Sequence, residues 1–286
     1  GERIFYECGN LESIQVASGN SVYYSDGNCL IETAGNVLIL GCKASIIPNS
    51  GVLHIDDYAF YGCAGLINIA LPETILSIGD YAFSNCIGLT EIIIPSGIMS
   101  FGEHAFENCT GLKTISLPNE KIDTSAIAIF GHTSLDENGI DLSCLTTLGF
   151  GIFKNCKFVH IFIPNTLLLD MDYSQQWQDN LRLLTMELEE GLSVVPNSLC
   201  SGCSSLMTIT FPSTITTIGS SVVHGCNNLK SFICKPITPP ALVSDLGYIY
   251  ADFNIYVPDE SVETYKIAWT KYESKIKPMS QKPENV

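Results

Sequence analysis

Three consecutive 23-residue blocks of this chain read nearly alike. Ile55–Ser77 is IDDYAFYGCAGLINIALPETILS, Ile78–Ser100 is IGDYAFSNCIGLTEIIIPSGIMS, and Phe101–Asp123 is FGEHAFENCTGLKTISLPNEKID. With the aromatic of Ala-Phe as ruler, the series runs Phe60, Phe83, Phe106, Phe130, Phe153, Trp177, Cys200, Val223, at gaps of 23, 23, 24, 23, 24, 23 and 23 residues. A fixed period of this length implies a solenoid, in which each turn buries its apolar face against the turns beside it. The diverged middle keeps register. SAIAIFGHTSLDENGIDLS is expected to place Ile140 and Leu142 in a strand, and the segment around Trp177 to set Leu183, Met186 and Leu188 where Leu89, Ile92 and Ile94 stand.

The unit's chemistry explains the coiling. Leu-x-x-Ile-x-Ile-Pro alternates inward apolar positions with outward ones, as a short strand does. The proline has no N–H to donate and suits the strand's end. Neighbouring rungs, about nine of them, would stack as parallel strands ~4.8 Å apart. Gly79 and Gly102 are expected to supply backbone freedom for a turn on the opposite side, and the Ala-Phe pair to insert an aromatic spine into the interior.

Cysteine is the residue type here that most readily suggests catalysis, metal or disulfides. Seven of the twelve, Cys8, Cys63, Cys86, Cys109, Cys156, Cys203 and Cys226, fall at one position of the repeat, where two other rungs carry Thr133 and Asn180. Cys, Thr and Asn share small size and the capacity to hydrogen-bond a nearby backbone group. A metal site would not survive that exchange; a structural ladder would. Cys200-Ser-Gly-Cys203 has CxxC spacing, but both positions point inward with no activating helix N-terminus. Cys29 and Cys42 flank an insertion and are the nearest to a disulfide pair, though free thiols are expected. The sequon Asn108-Cys109-Thr110 overlaps the ladder and reads as coincidence.

The skeleton I-G-x-x-A-F-x-x-C-x-x-L-x-x-I-x-I-P, matched by Ile78, Gly79, Ala82, Phe83, Cys86, Leu89, Ile92, Ile94 and Pro95, resembles the bacterial surface subfamily of leucine-rich repeat proteins (BspA-like). The resemblance covers roughly residues 1–234 and departs from the pattern on the spine at Trp177, Cys200 and Val223. It implies an α/β fold: a right-handed leucine-rich-repeat solenoid with short parallel strands on the concave side, turns and short helices on the convex side, and a C-terminal cap. The solenoid is expected over 1–234, with a β-hairpin insertion at about 21–42 in which two apolar runs flank TAGN. Residues 235–286 are expected to form the cap, with FNIYVP as a strand and DESVETYKIAWTKYESKI as a helix covering the open end. Gly1 falls in the middle of a repeat, so the chain is expected to be a fragment with further repeats and any export signal upstream.

A net charge of −16, with only 14 Lys and Arg, argues against nucleic acid and against docking on an anionic membrane. No apolar run approaches the ~18 residues of a membrane span. The five histidines show no close metal pairing, and no phosphate loop or nucleophile elbow occurs. The acidic loops 136–141 and 170–180 lack the calcium-loop ligand spacing. No catalytic, cofactor-binding or metal-binding residue is assigned, and no cofactor is expected.

The outward strand positions form a mostly uncharged stripe: Ser13, Gln15, Asn68, Ala70, Glu91, Ile93, Thr114, Ser116, His160, Phe162, Thr208, Thr210, Ser231 and Ile233. The candidate ligand-binding residues among them are Asn68, Glu91, Ile93, Thr114, Ser116, His160, Phe162, Thr208 and Thr210. One Glu and one His several rungs apart do not make an acid–base pair. The expectation is a non-enzymatic binding or adhesion module. The resemblance implies that its partner is a protein or glycan on a host or neighbouring cell, and its location extracellular or on a bacterial surface. An architectural spacer presenting another domain of a longer surface protein is the alternative.

Overall fold

The computed structural model describes residues 11–118, 122–124, 126, 128–148, 151–167 and 177–283. Cys8 and most of the acidic loop at 170–180 lie outside them. The chain divides into two compact units, Gly1–Cys156 and Lys157–Val286.

The described spine residues of the first unit build a stacked interior. Phe60, Phe83, Phe106, Phe130 and Phe153 are fully buried and lie in file, with successive centroids 4.9, 5.1, 5.8 and 5.9 Å apart. Offset stacking of this kind adds to the area each ring removes from water. Two parallel ladders flank the spine. Glu91–Ile93 pairs with Thr114–Ser116 where the Ile-x-Ile pattern predicts a strand. A second ladder, not anticipated from the pattern, runs through the two-residue strands His54–Ile55, Ser77–Ile78 and Ser100–Phe101.

The insertion joins that second ladder. Tyr23–Asp26, Cys29–Glu32 and Val37–Leu40 form an antiparallel meander of three strands. Val37–Leu40 then pairs in parallel with His54–Ile55. Gly27 and Asn28 both have positive φ, at 54° and 59°, the combination that a tight two-residue hairpin requires. Cys29, Ile31 and Leu38 on one face are completely buried.

The turns hold two left-handed residues per rung, two positions before and two after the spine residue. The later position is taken by Gly62, Asn85, Asn108, His132 and Asn155, the earlier one by Tyr58, Tyr81, His104, Ala128 and Gly151. Gly and Asn tolerate this backbone; tyrosine does so at a cost. The cost is offset in part by stacking, since Tyr58, Tyr81 and His104 lie ring on ring at 5.0 and 4.7 Å.

Gly79 and Gly102 do not have the positive φ their assigned role needs. Their requirement is steric. A Cβ on Gly79 would lie 2.6 Å from the amide nitrogen of Asp57 in the preceding rung. The close approach lets the Asp80 amide donate to Asp57 Oδ1 at 2.7 Å and the Glu103 amide to Asp80 Oδ1 at 2.8 Å.

Ile140 and Leu142 are not in a strand. Leu142–Cys144 is a short 3-10 turn because Asp141 Oδ1 accepts from the Ser143 amide at 2.8 Å and caps it. The strand follows at Leu145–Leu148, paired with Ile122–Thr124.

In the second unit a six-stranded parallel sheet runs in the order His160–Ile163, Thr185–Leu188, Thr208–Phe211, Ser231–Cys234, Asn254–Val257, Ile276–Pro278. Leu183, Met186 and Leu188 are buried as their register requires. A second ladder again runs alongside, through Val194–Val195, Thr217–Ile218 and Ala241–Leu242. The α-helix is shorter than DESVETYKIAWTKYESKI implies, covering Val262–Ala268 before a 3-10 segment at Thr270–Lys275. Trp269 leaves helical geometry, with φ −114° and ψ 54°. There its indole donates to the Pro240 carbonyl at 3.0 Å, and its ring packs edge-on against Tyr265 and Phe232. Tyr265, fully buried, donates to the Pro236 carbonyl at 2.7 Å.

Candidate functional site

The cysteines come first, because the chemistry they could perform depends on where they sit. Cys29, Cys42, Cys63, Cys86, Cys109, Cys156, Cys200, Cys203, Cys226 and Cys234 are free and buried. At the repeat position the thiol donates across rungs to the carbonyl of the preceding spine residue. Cys86 donates to Phe60 at 3.0 Å, Cys109 to Phe83 at 3.0 Å and Cys156 to Phe130 at 3.3 Å. In the second unit Cys203 donates to Trp177 at 3.1 Å and Cys226 to Cys200 at 3.2 Å. Thr133 and Asn180 serve the same carbonyl set differently, each bonding the spine residue of its own rung, Phe130 at 2.9 Å and Trp177 at 2.7 Å. Burial pushes these thiols up, to about 11 for Cys63 and about 12 for Cys109 and Cys203. They are held as protonated donors, whereas nucleophilic attack and metal ligation need the thiolate.

Cys200, at the spine end of the CxxC pair, is completely buried against the Met186 sulfur at 3.3 Å, and desolvation raises its thiol far above the usual range. Cys29 and Cys42 each face backbone carbonyls of the insertion. Among the described residues no group of three or more His, Cys, Asp or Glu side chains converges as a metal site would. In the acidic loop 136–141 the carboxylates of Asp136 and Asp141 accept from the Asn138 and Ser143 amides.

The remaining candidates lie on the outward strand positions. In the first unit Asn68, Glu91, Ile93, Thr114 and Ser116 are all exposed. Glu91 is paired with Thr114 and Ile93 with Ser116 on neighbouring strands. Ile93 stands 66% exposed, although Ile92 beside it is buried. Asn68 accepts from the Thr90 hydroxyl at 3.3 Å, on a segment with the alternating burial of a strand but without strand pairing.

In the second unit the sheet arranges the outward residues in two rows. One is His160, Thr185, Thr208, Ser231 and Asn254; the other is Phe162, Glu187, Thr210, Ile233 and Tyr256. His160 and Phe162 are exposed and Thr210 half-buried. Thr208 is not available as a ligand contact: it is only 9% exposed, and Ser231 and Ile233 in the next strand are buried with it. His160 and Phe162 lie on the sheet's first strand. The structure adds Thr185 and Glu187 to the exposed end of these rows. The His160 Nδ1 and Thr185 Oγ1 lie 2.7 Å apart, and Lys235 Nζ reaches Glu187 Oε1 at 3.4 Å from two strands away. The sequence carries the signal for both: they follow Trp177 by eight and ten residues, as Glu91 and Ile93 follow Phe83, and alternate with inward Met186 and Leu188.

These features define a leucine-rich-repeat solenoid whose buried cysteines at the repeat position are structural and whose strand faces carry the accessible chemistry. The sequence pattern of the BspA type leucine rich repeat region matches in six copies over residues 53–174 and 130–238, and the chain belongs to that family. No curated protein matches it. Among solved structures it is similar to a leucine-rich repeat protein of T. pallidum, with 23% identity, 76% of this chain and 91% of that one covered, and a TM-score of 0.43. It is also similar to the pneumococcal vaccine antigen PcpA, with 15% identity, 93% and 90% coverage and a TM-score of 0.42. A leucine rich cell surface protein from Faecalibacterium prausnitzii shares 17% identity, with 92% and 95% coverage and a TM-score of 0.41. Among the described residues no helix is long and apolar enough to cross a membrane.

Proposed function

We propose that the chain is a non-enzymatic binding module, secreted or displayed on a bacterial surface, that recognises a protein or glycan on a host or neighbouring cell. One observation carries this reading. Large apolar side chains, Ile93 in the first unit and Phe162 in the second, project from strands whose other faces are buried and whose register is pinned by parallel pairing. Side chains fixed in water on a rigid frame are suited to contact a partner with little ordering cost. Membership of the BspA-type family supports surface display.

The test is binding of the fluorescently labelled chain to cultured epithelial cells, with and without the paired substitutions Ile93→Asp and Phe162→Asp. Both positions are exposed, so the circular dichroism spectrum should not change while cell binding falls. Undiminished binding by the double variant would move the site off the strand faces.

A further inference from the structure

We propose that the first strands of the second unit form a carbohydrate subsite centred on Phe162, suited to a neutral pyranose unit of an oligosaccharide. The inference rests on the binding reading above and narrows its ligand to a glycan. Phe162 is 53% exposed, yet Ile161 and Ile163 on either side are buried and the strand is paired in register with Thr185–Leu188. Strand pairing therefore holds the ring on the surface with more than half of it in water.

Polar groups surround the ring at defined positions. Glu187 is Phe162's direct partner on the next strand, ~4.8 Å away at ordinary strand spacing. Its Oε1 lies 3.4 Å from Lys235 Nζ, which restrains the carboxylate and leaves Oε2 for a ligand hydroxyl. His160 is fixed through Nδ1 by Thr185, which leaves Nε2 directed elsewhere. Thr210 adds a hydroxyl one strand beyond Glu187. An aromatic disc rimmed by a carboxylate, an imidazole and hydroxyls complements a pyranose, whose C–H face is apolar and whose rim carries hydroxyls. A carboxylate can accept from two of these at once, and charge-assisted bonds of this type are the stronger ones.

A protein partner fits less well. Protein interfaces centre on clusters of large apolar side chains ringed by polar ones. In the row Phe162, Glu187, Thr210, Ile233, Tyr256 the other apolar members, Ile233 and Tyr256, are only 6% and 4% exposed. The net charge of −16 disfavours sialylated and sulfated sugars and leaves neutral ones.

The experiment presents the full chain to printed neutral, sialylated and sulfated oligosaccharides, and to epithelial cells with and without prior periodate oxidation. Neutral pyranosides should be retained and anionic ones not. Phe162→Ala should weaken retention about tenfold or more, Phe162→Trp should preserve it, and Glu187→Gln should weaken it about tenfold, the scale of a bond to a charged group. Circular dichroism checks each variant's fold. Retention of no neutral sugar, or equal retention by Phe162→Ala, overturns the subsite. Cell binding that survives periodate but is lost on protease treatment of the cells identifies a protein partner; it overturns the subsite and leaves the binding module standing. Failure to bind either untreated cells or sugars removes both.

Discussion

Gly79 separates two accounts of why the repeat needs glycine. If the residue supplied conformational freedom, alanine would strain the turn; if it supplies space, alanine would push two rungs apart. The structure favours space. Gly79 has no positive φ, and a Cβ there would lie 2.6 Å from Asp57 N and 2.7 Å from Asp56 C, where ordinary contacts begin at 3.4 Å. The shortfall against Asp57 N is 3.4 − 2.6 = 0.8 Å, and it is met by backbone rather than by a side chain that could swing away. Separating the rungs stretches the bond from the Gly79 amide to the Ile55 carbonyl, 2.9 Å, and that from the Asp80 amide to Asp57 Oδ1, 2.7 Å. Overpacking costs ~1–3 kcal/mol, and a weakened bond to a carboxylate adds ~1.5 kcal/mol at the low end suited to an exposed pair. Reduced freedom of the unfolded chain returns ~0.4–1 kcal/mol. Gly79→Ala should therefore destabilise by about 1.5–4 kcal/mol, read as a lowered urea midpoint by far-ultraviolet circular dichroism. The control is Gly62→Asn. Gly62 has φ 69°, but Asn85 and Asn108 occupy the equivalent position at 62° and 59°, so the cost should stay under about 1 kcal/mol. Gly79→Ala within about 0.5 kcal/mol of the parent, with a severe loss for Gly62→Asn, would refute the steric account.

Phe83→Ala removes a ring stacked on both sides, at 4.9 and 5.1 Å, and should cost about 3–5 kcal/mol in the same assay. The thiols predict a fall in stability with alkali. Burial raises Cys109, Cys203 and Cys234 from 9.0 to about 12, so between those values the unfolded chain has lost protons that the folded one keeps. Stability is then full below pH 9 and declines as pH rises towards 12, by about 1.4 kcal/mol per pH unit for each thiol. Urea midpoints from pH 8 to 10.5 measure the slope, and a flat profile would show that these thiols are not held protonated.

The spine, the inward strand positions and the role of the thiols were legible because each recurs, and a repeated position reports the constraint common to all rungs rather than the accident of one. Thr133 and Asn180 were as informative as the cysteines: their exchange identified a shared backbone acceptor. The second strand ladder was less visible, since two residues such as Ser77 and Ile78 are too few to show alternation. Backbone sign at Tyr58 and Tyr81 left no trace either, because tyrosine is the wrong residue type for a left-handed turn, and its stacked neighbours offset part of the cost.

The candidate site was legible in part for a related reason. Alternation along a strand tells which way a side chain points, but exposure depends on what stands beside it on the neighbouring strands. Thr208 points outward and is nevertheless covered. Lateral partners are set by register between rungs, and here the register is not uniform. His160 pairs with Thr185 and Phe162 with Glu187, 25 residues on, whereas Thr185 and Glu187 pair with Thr208 and Thr210, 23 residues on. A reader applying the common offset to Phe162 arrives at Thr185 and misses the carboxylate. In a solenoid the binding chemistry is assembled across rungs, and here one extra residue between the spine positions Phe153 and Trp177 and one more between spine and strand decide which side chains meet on the surface.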